Sequence, residues 1–290
     1  MSDVLANHID PHAVRRWQNM SASASPWLHE EVARRMQQRL DWIKLQPKSW
    51  AHWEPVRGGL QAHAALTQRY PKAACVVFEG QPERAEFAVR ALSTAWWQPA
   101  RWTARPTRFE LPAEGSVQML WSNMALHQSD EPRALMAQWH RALAVDGFLM
   151  FSCLGPDTLL ELRSLYRALG WPPPAHEFTD MHDWGDRLLA AGFSDPVMDM
   201  ERVTLTFETP ERLLQELRGL GRNLHAQRFP ALRGRRWVEQ LQEALAAEPL
   251  QLTFELVYGH ALKPAPNLRV RTETVLSLAQ MRESLIQRKK

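Results

Sequence analysis

Short apolar runs recur through the first half of this chain, each set off from the next by a stretch with helical spacing, and this constrains its fold more than any other feature. Ser49–Trp53 (SWAHW), Ala74–Phe78 (ACVVF), Ser116–Ser122 (SVQMLWS) and Phe148–Cys153 (FLMFSC) read as strands. Runs that are apolar on successive residues must be buried on both faces, which argues for a parallel sheet sandwiched by helices. Over about Pro26 to Leu45, Leu28, Val32, Met36, Leu40 and Ile43 recur at three- and four-residue spacing, and Pro47 ends the run. Leu60–Arg69 and Pro82–Leu92 also read as helices, the second with proline in its first turn. Ser129 is a candidate cap for a helix running to about Leu143, with a turn at Asp146-Gly147 before the next strand. The alternation predicts an α/β fold: a mostly parallel sheet with helices on both faces. Ligands of such sheets sit beyond the carboxyl ends of the strands, so function is expected after Trp53, at Glu79 and around Asn123.

The second half breaks the simple alternation. Pro156 opens a helix to Leu169, GWPPP (170–174) is a rigid loop, and Asp180–Ala191 is helical up to Gly192. A strand, Val197–Phe207, precedes two helices, Thr209 to about Gly221 and about Arg235 to Ala247, and the strand Gln251–Leu262 closes the pattern. The organisation expected is one domain over 1–264, with a leading helix at 26–46 and a helical insertion at 208–248. Residues 265–290 form a separate tail, weakly helical over 273–287.

Hydrophobic residues make up 45% and charged residues 23% of the 290, enough to bury a large core. No apolar run reaches the roughly 18 residues of a membrane span, and MSDVLANHID lacks the layout of a signal peptide, so a cytoplasmic protein is expected. Cys75 and Cys153 lie in apolar runs without a CxxC pattern and read as buried free thiols. The net charge of +3 is spread along the chain, which argues against nucleic-acid binding. Arg233, Arg235 and Arg236, and the tail ending Arg288-Lys289-Lys290, are the closest basic patches; each is a solvated face or a dock for an acidic partner. The 13 tryptophans fill a core or stack on a purine. His176, Glu177, Asp180, His182 and Asp183 match no metal spacing and flank a helix start, so no metal is assigned.

The turn after the first strand reads Ala51-His52-Trp53-Glu54-Pro55-Val56-Arg57-Gly58-Gly59, bulky and rigid except for its last two residues. The stretches that carry a family likeness lie elsewhere: HEEVARRMQQRLDWIKLQP (29–47), Ser122-Asn123-Met124-Ala125-Leu126-His127, ALAVDGFLMFSCLGPDTLLELR, FTDMHDWGDRLLAAGFSDPVMDMERVTLTF and ELRGLGRNL. Through them, over about Asp10 to Pro264, the chain resembles the malonyl-acyl-carrier-protein O-methyltransferases of biotin synthesis.

That resemblance implies a Rossmann-like class I methyltransferase fold with a seven-stranded, mostly parallel sheet, and S-adenosylmethionine as cofactor. It makes Gly58, Gly59, Glu79, Asn123 and Met124 cofactor contacts: the glycines admit the cofactor to the backbone and Glu79 meets the ribose hydroxyls. Arg57 is expected to border the pocket and Glu79 to face it. Trp27 stands in for an aromatic residue that the family carries where this chain has Ser-Ala-Ser-Ala-Ser-Pro (21–26); Arg163 and Arg218 are candidate cations for the malonyl group, and His127 is a candidate base. The malonyl carboxylate is ionised at neutral pH, so no catalytic residue is assigned. The implied partner is acyl-carrier protein, met through basic surface, by a monomer or homodimer. The altered first turn leaves two other readings: a methyltransferase-fold protein that binds or assembles partners without turnover, and a hydroxylase-like relative. The second is suggested by similarity, Arg163 included, to the mitochondrial complex I assembly factor that hydroxylates an arginine.

Overall fold

Along the central strands, successive side chains enter two different cores. Trp50, Cys75, Val77, Met119, Trp121, Phe148 and Met150 point to one face, and Ala51, Trp53, Val76, Leu120, Leu149 and Phe151 to the other. The computed structural model describes residues 9–20, 24–93, 107–247 and 249–266. Its strands are β1 (Ser49–Trp53), β2 (Ala74–Phe78), β3 (Arg108–Phe109), β4 (Val117–Asn123), β5 (Leu143–Leu154), β6 (Ser194–Thr206) and β7 (Gln251–Leu262). They form one seven-stranded sheet in the order β3-β2-β1-β4-β5-β7-β6. All neighbours pair in parallel except β7, which runs antiparallel to β5 and β6. The chain moves outward from β1 to β3 and then returns to β4, so a crevice opens at the ends of β1 and β4, where strand order reverses.

The helices are α1 (Pro11–Gln18), α2 (Trp27–Arg39), the single turn α3 (Pro55–Gly58), α4 (Leu60–Arg69), α5 (Pro82–Leu92), α6 (Pro132–Ala142), α7 (Leu160–Ala168), α8 (Met181–Ala190), α9 (Pro210–Leu220) and α10 (Arg235–Ala246). Leu28, Val32 and Met36 of α2, Leu66 of α4, Leu162 of α7 and Leu241 of α10 cover one face of the sheet. Met136 and Trp139 of α6 and Trp184 and Leu188 of α8 cover the other. Trp50, Trp121, Trp139 and Trp184 are fully buried, which accounts for part of the tryptophan content as core. Cys75 and Cys153 are buried free thiols, as expected. No helix of the described residues is long and apolar enough to cross a membrane.

Several boundaries differ from the sequence reading. Ser129 does not cap α6: Glu131 holds that position, and Ser129 Oγ accepts the Glu131 N–H at 3.2 Å. The expected turn at Asp146-Gly147 lies inside β5, as an irregularity with Asp146 in the left-handed region. The helix expected from Pro156 starts at Leu160, because the Glu255 carboxylate holds the Asp157 N–H at 2.7 Å and Leu159 is left-handed. The weakly helical tail lies outside the described residues.

Gly259 on β7 faces Phe151 on β5, and a Cβ at Gly259 would stand 2.1 Å from the Phe151 ring. Gly259→Ala is expected to overpack this buried contact and cost about 1–3 kcal/mol or more. Urea unfolding measures it, and an unchanged midpoint would contradict the packing described.

Candidate functional site

A cavity of about 210 Å3 opens where the chain leaves β1, β2 and β4. Trp53, Glu54, Arg57 and Gly58 from the first turn line it, together with Phe78 from the end of β2 and Asn123 and Met124 from the end of β4. Trp17 and Gln18 of α1 form the wall that comes from the N-terminal side.

The first turn is wound rather than open. Pro55 has no N–H to offer, the Gly58 N–H donates to Glu54 O at 3.0 Å, and the Gly59 N–H donates to Pro55 O at 2.8 Å. Its two glycines serve close packing. A Cβ on Gly58 would lie 2.9 Å from Asn123 O, and Gly59 has φ +129 against Ala33 and Glu30 of α2. Gly58 lines the cavity, and Gly59 is not among its walls.

Glu79, directly after β2, is not among the walls of this cavity, against the expectation that it faces it; it borders a smaller one of about 120 Å3 between β2 and α5. Its side chain is 1% exposed. Oε1 accepts the Val56 N–H at 2.7 Å, and Oε2 accepts from Arg84 Nε at 3.1 Å. Burial and the nearby Glu54 carboxylate push Glu79 up to about 7, against the pull of Val56 and Arg84. Arg84, on α5 and 3% exposed, also donates to Gln18 O and lies 3.7 Å from Glu54. Glu54 is the carboxylate that does line the cavity. The sequence reading passed over both Glu54 and Arg84; an arginine amid the apolar positions of PERAEFAV was the available signal for the second.

Asn123 reaches the cavity, but its amide is engaged by the protein. Nδ2 donates to His29 O at 2.8 Å and to Gly58 O, while Oδ1 accepts from Ser152 Oγ. The residue thereby ties β4 to α2 and to the first turn. Met124 lines the cavity in a left-handed conformation, and its N–H donates to Ser152 O at 3.0 Å.

Arg57 borders the cavity as expected. Its guanidinium lies 3.7 Å over the Trp17 ring and donates to Trp17 O at 2.7 Å and Met20 O at 2.8 Å, leaving Nε without a partner. Burial, with the like charge of Arg84, lowers Arg57 to about 10. Trp17 Nε1 donates to Gln128 Oε1 at 2.6 Å. The rest of α1 is held by Ala13 and Val14 against Leu224 and by the Asp10–Arg228 ion pair at 2.7 Å.

The other candidates lie elsewhere. Arg163 donates to Pro156 O at 3.2 Å and His176 O at 3.1 Å, bracing a loop, and is not among the cavity walls. Arg218 is exposed on α9, and Trp27, the first residue of α2, is 59% exposed; neither is a wall. His127 is buried, accepts the Leu154 N–H at 3.4 Å and takes a hydrogen bond on its carbonyl from His176. Asp180 caps α8 through the His182 N–H at 2.8 Å.

Glu79→Ala is expected to cost about 1–3 kcal/mol, because Arg84 loses its closer carboxylate and the Val56 N–H loses its acceptor. Adding Arg84→Met is expected to recover part of that loss, as read by a double-mutant cycle in urea; a second loss that simply adds would contradict a coupled pair.

Burial also holds His29, His63 and His176 at about 4, below an ordinary value of 6.5. Below pH 6.5 the unfolded chain takes up these protons and the folded chain does not, so stability present above 6.5 is lost toward pH 4. Glu79 acts oppositely: its ionisation between 4.5 and 7 costs stability. Three histidines outweigh one carboxyl, so the unfolding midpoint is expected to fall from pH 6.5 to 4; a midpoint that rises over this range would contradict the assignment.

No protein-family model matches the chain. It is 37% identical over 285 residues to the malonyl-[acyl-carrier protein] O-methyltransferase of Gallionella capsiferriformans, covering 90% of this chain and 93% of that one. The Laribacter hongkongensis enzyme of the same name is 38% identical over 255 residues, covering 83% and 84%. Among solved structures, a Bacillus halodurans protein solved as a candidate methyltransferase shares the fold, with a TM-score of 0.54 at 12% identity over 80% of this chain and 99% of that one. The YcgJ protein of Bacillus subtilis gives 0.52 at 13% identity, over 79% and 98%. With a Rossmann-like sheet, a crevice at its switch point and relatives of this closeness along nearly their whole length, the chain belongs to the malonyl-[acyl-carrier protein] O-methyltransferase family.

Proposed function

We propose that this chain methylates the free carboxylate of a malonyl group carried on acyl-carrier protein, using S-adenosylmethionine, in the making of the biotin precursor. The observation that carries the reading is the cavity at the β1–β4 switch point of a chain from this family. Its walls fit the cofactor in kind: Glu54 is an acceptor for hydroxyl or ammonium groups, and the Arg57 guanidinium is a donor for a carboxylate. Trp17, Trp53 and Phe78 supply aromatic surface for a purine or a ligand cation. At about 210 Å3 the cavity is below the roughly 300–1,000 Å3 of small-molecule sites, so entry requires the Trp17–Arg57 wall to move outward.

When bound, S-adenosylmethionine supplies an electrophilic methyl group on its sulfonium. The malonyl carboxylate is already ionised and needs no base, in keeping with cavity walls that include no histidine among the described residues. The chain's contribution is then to position the carboxylate and exclude water. Arg57 is the one cation of that wall among the described residues and is suited to hold an anionic group there.

The carrier is proposed to dock beside the cavity. Between Glu216 and Glu239 the sequence has six arginines (Arg218, Arg222, Arg228, Arg233, Arg235 and Arg236) and no carboxylate. Arg222 lies 5.4 Å from the ring centroid of Trp17, a cavity wall, so this cationic stretch adjoins the cavity. Phe229 and Leu232 are exposed within it. Such a surface suits an acidic carrier.

The sealing of Glu79 and the wound first turn favour one alternative, a family member that binds the carrier without turnover. Titration calorimetry with S-adenosylmethionine, and mass spectrometry of malonyl-acyl-carrier protein incubated with both, separate the two. Binding and a gain of one methyl group are expected, with rescue of a biotin auxotroph; neither binding nor transfer would overturn the enzyme reading. Arg218→Glu with Arg236→Glu is expected to raise KM for the carrier substrate several-fold with kcat little changed, and more so at low salt. An unchanged KM would remove the carrier from this face.

A further inference from the structure

We propose that Glu54, and not Glu79, is the carboxylate that accepts hydrogen bonds from the ribose hydroxyls of the cofactor; the assignment rests on the cofactor reading above. A ribose-binding acid must present free acceptor oxygens at the end of β2, within the cavity. Glu79 has the right position in the sequence, but both its oxygens are engaged by Val56 and Arg84 and its side chain is sealed.

Glu54 meets each requirement. It leaves β1 at the sheet centre, its N–H donates to Phe78 O at 2.8 Å, and this bond pins it beside the end of β2. Its side chain lines the cavity, is 30% exposed, and accepts no hydrogen bond among the described residues; its ion-pair neighbour there is Arg84 Nη2 at 3.7 Å, with Arg57 and Glu79 also within electrostatic reach. The side chain lies against Gly80, where a Cβ would stand 3.1 Å from Glu54 Oε1. The carboxylate therefore lies over the residue that follows Glu79, where a ribose acid is needed. The backbone at Glu54 is left-handed, φ 50 and ψ 54, a conformation that disfavours glutamate and that glycine would adopt freely. A strained residue whose side chain has free acceptors in a cavity fits a binding role better than a structural one.

Binding and stability should then move in opposite directions. Titration calorimetry with S-adenosylhomocysteine, at a temperature well below unfolding, is run on the wild type, Glu54→Gln, Glu54→Gly and Glu79→Gln. Both Glu54 variants are expected to bind at least tenfold more weakly, with Tm unchanged for Glu54→Gln and unchanged or raised for Glu54→Gly. Glu79→Gln is expected to lower Tm while changing affinity less than threefold. Methylthioadenosine, which keeps the ribose and lacks the amino-acid end, should show the same loss on Glu54→Gln. Wild-type affinity in the Glu54 variants, a tenfold loss in Glu79→Gln, or a methylthioadenosine affinity indifferent to Glu54→Gln would each overturn the assignment while leaving the cofactor reading intact. A wild type that binds neither ligand would overturn that reading and this assignment with it.

Discussion

A buried carboxylate sets the geometry of everything around the cavity. Glu79 holds the Val56 N–H with one oxygen and Arg84 with the other, so the turn after β1 is fastened to the end of β2 and to α5 at once. An open glycine turn would leave its amide groups facing a ligand. Here those groups are turned inward, and the side chains of Glu54 and Arg57 face the cavity in their place. Burying an ion pair is no sure source of stability, because desolvation offsets the attraction. What it does supply is a single fixed path for the turn.

The second fixed point is Asn123. Its amide joins β4 to α2 and to the first turn, and Gly58 is glycine because β4 passes so close. Sheet, leading helix and turn are therefore one unit, and α1 is fastened to its edge. The contacts of α1 include a small apolar cluster with Leu224, an ion pair to Arg228, the stacking of Trp17 on Arg57, and hydrogen bonds from Trp17 to Gln128 and from Arg84 to the Gln18 carbonyl. That attachment links the wall of the cavity to the arginine-rich segment after α9, so a partner docking on those arginines meets the same element that limits the size of the cavity.

Much of the fold could be read from the sequence because each signal was local and repeated. The strands at 49–53, 74–78 and 251–262 and the helices at 60–69 and 82–92 lie where apolar spacing, prolines and glycines put them. Elements too short to show a period were missed: α1 at eight residues, α3 at four and β3 at two. The site was less legible for a different reason. The position of Glu79 after a strand was visible, but its direction depends on Arg84 and Val56, which the fold brings to it. Asn123 was correctly placed at a strand end, yet which partners its amide takes is settled by α2. Glu54 looked like part of a damaged turn, since nothing local shows that its side chain alone stays free. Arg163, plausible within DTLLELR, is instead held by two backbone carbonyls.

On the cofactor reading proposed above, the turn after β1 is rebuilt rather than lost, with a carboxylate and a guanidinium standing in for open backbone. A crystal structure with S-adenosylhomocysteine tests this most directly. The result expected is a ribose against the Glu54 carboxylate, Trp17 and Arg57 displaced outward, and Glu79 still bonded to Val56 and Arg84. A ribose held by Glu79 with the turn unwound, or a ligand located anywhere other than the ends of β1, β2 and β4, would contradict it.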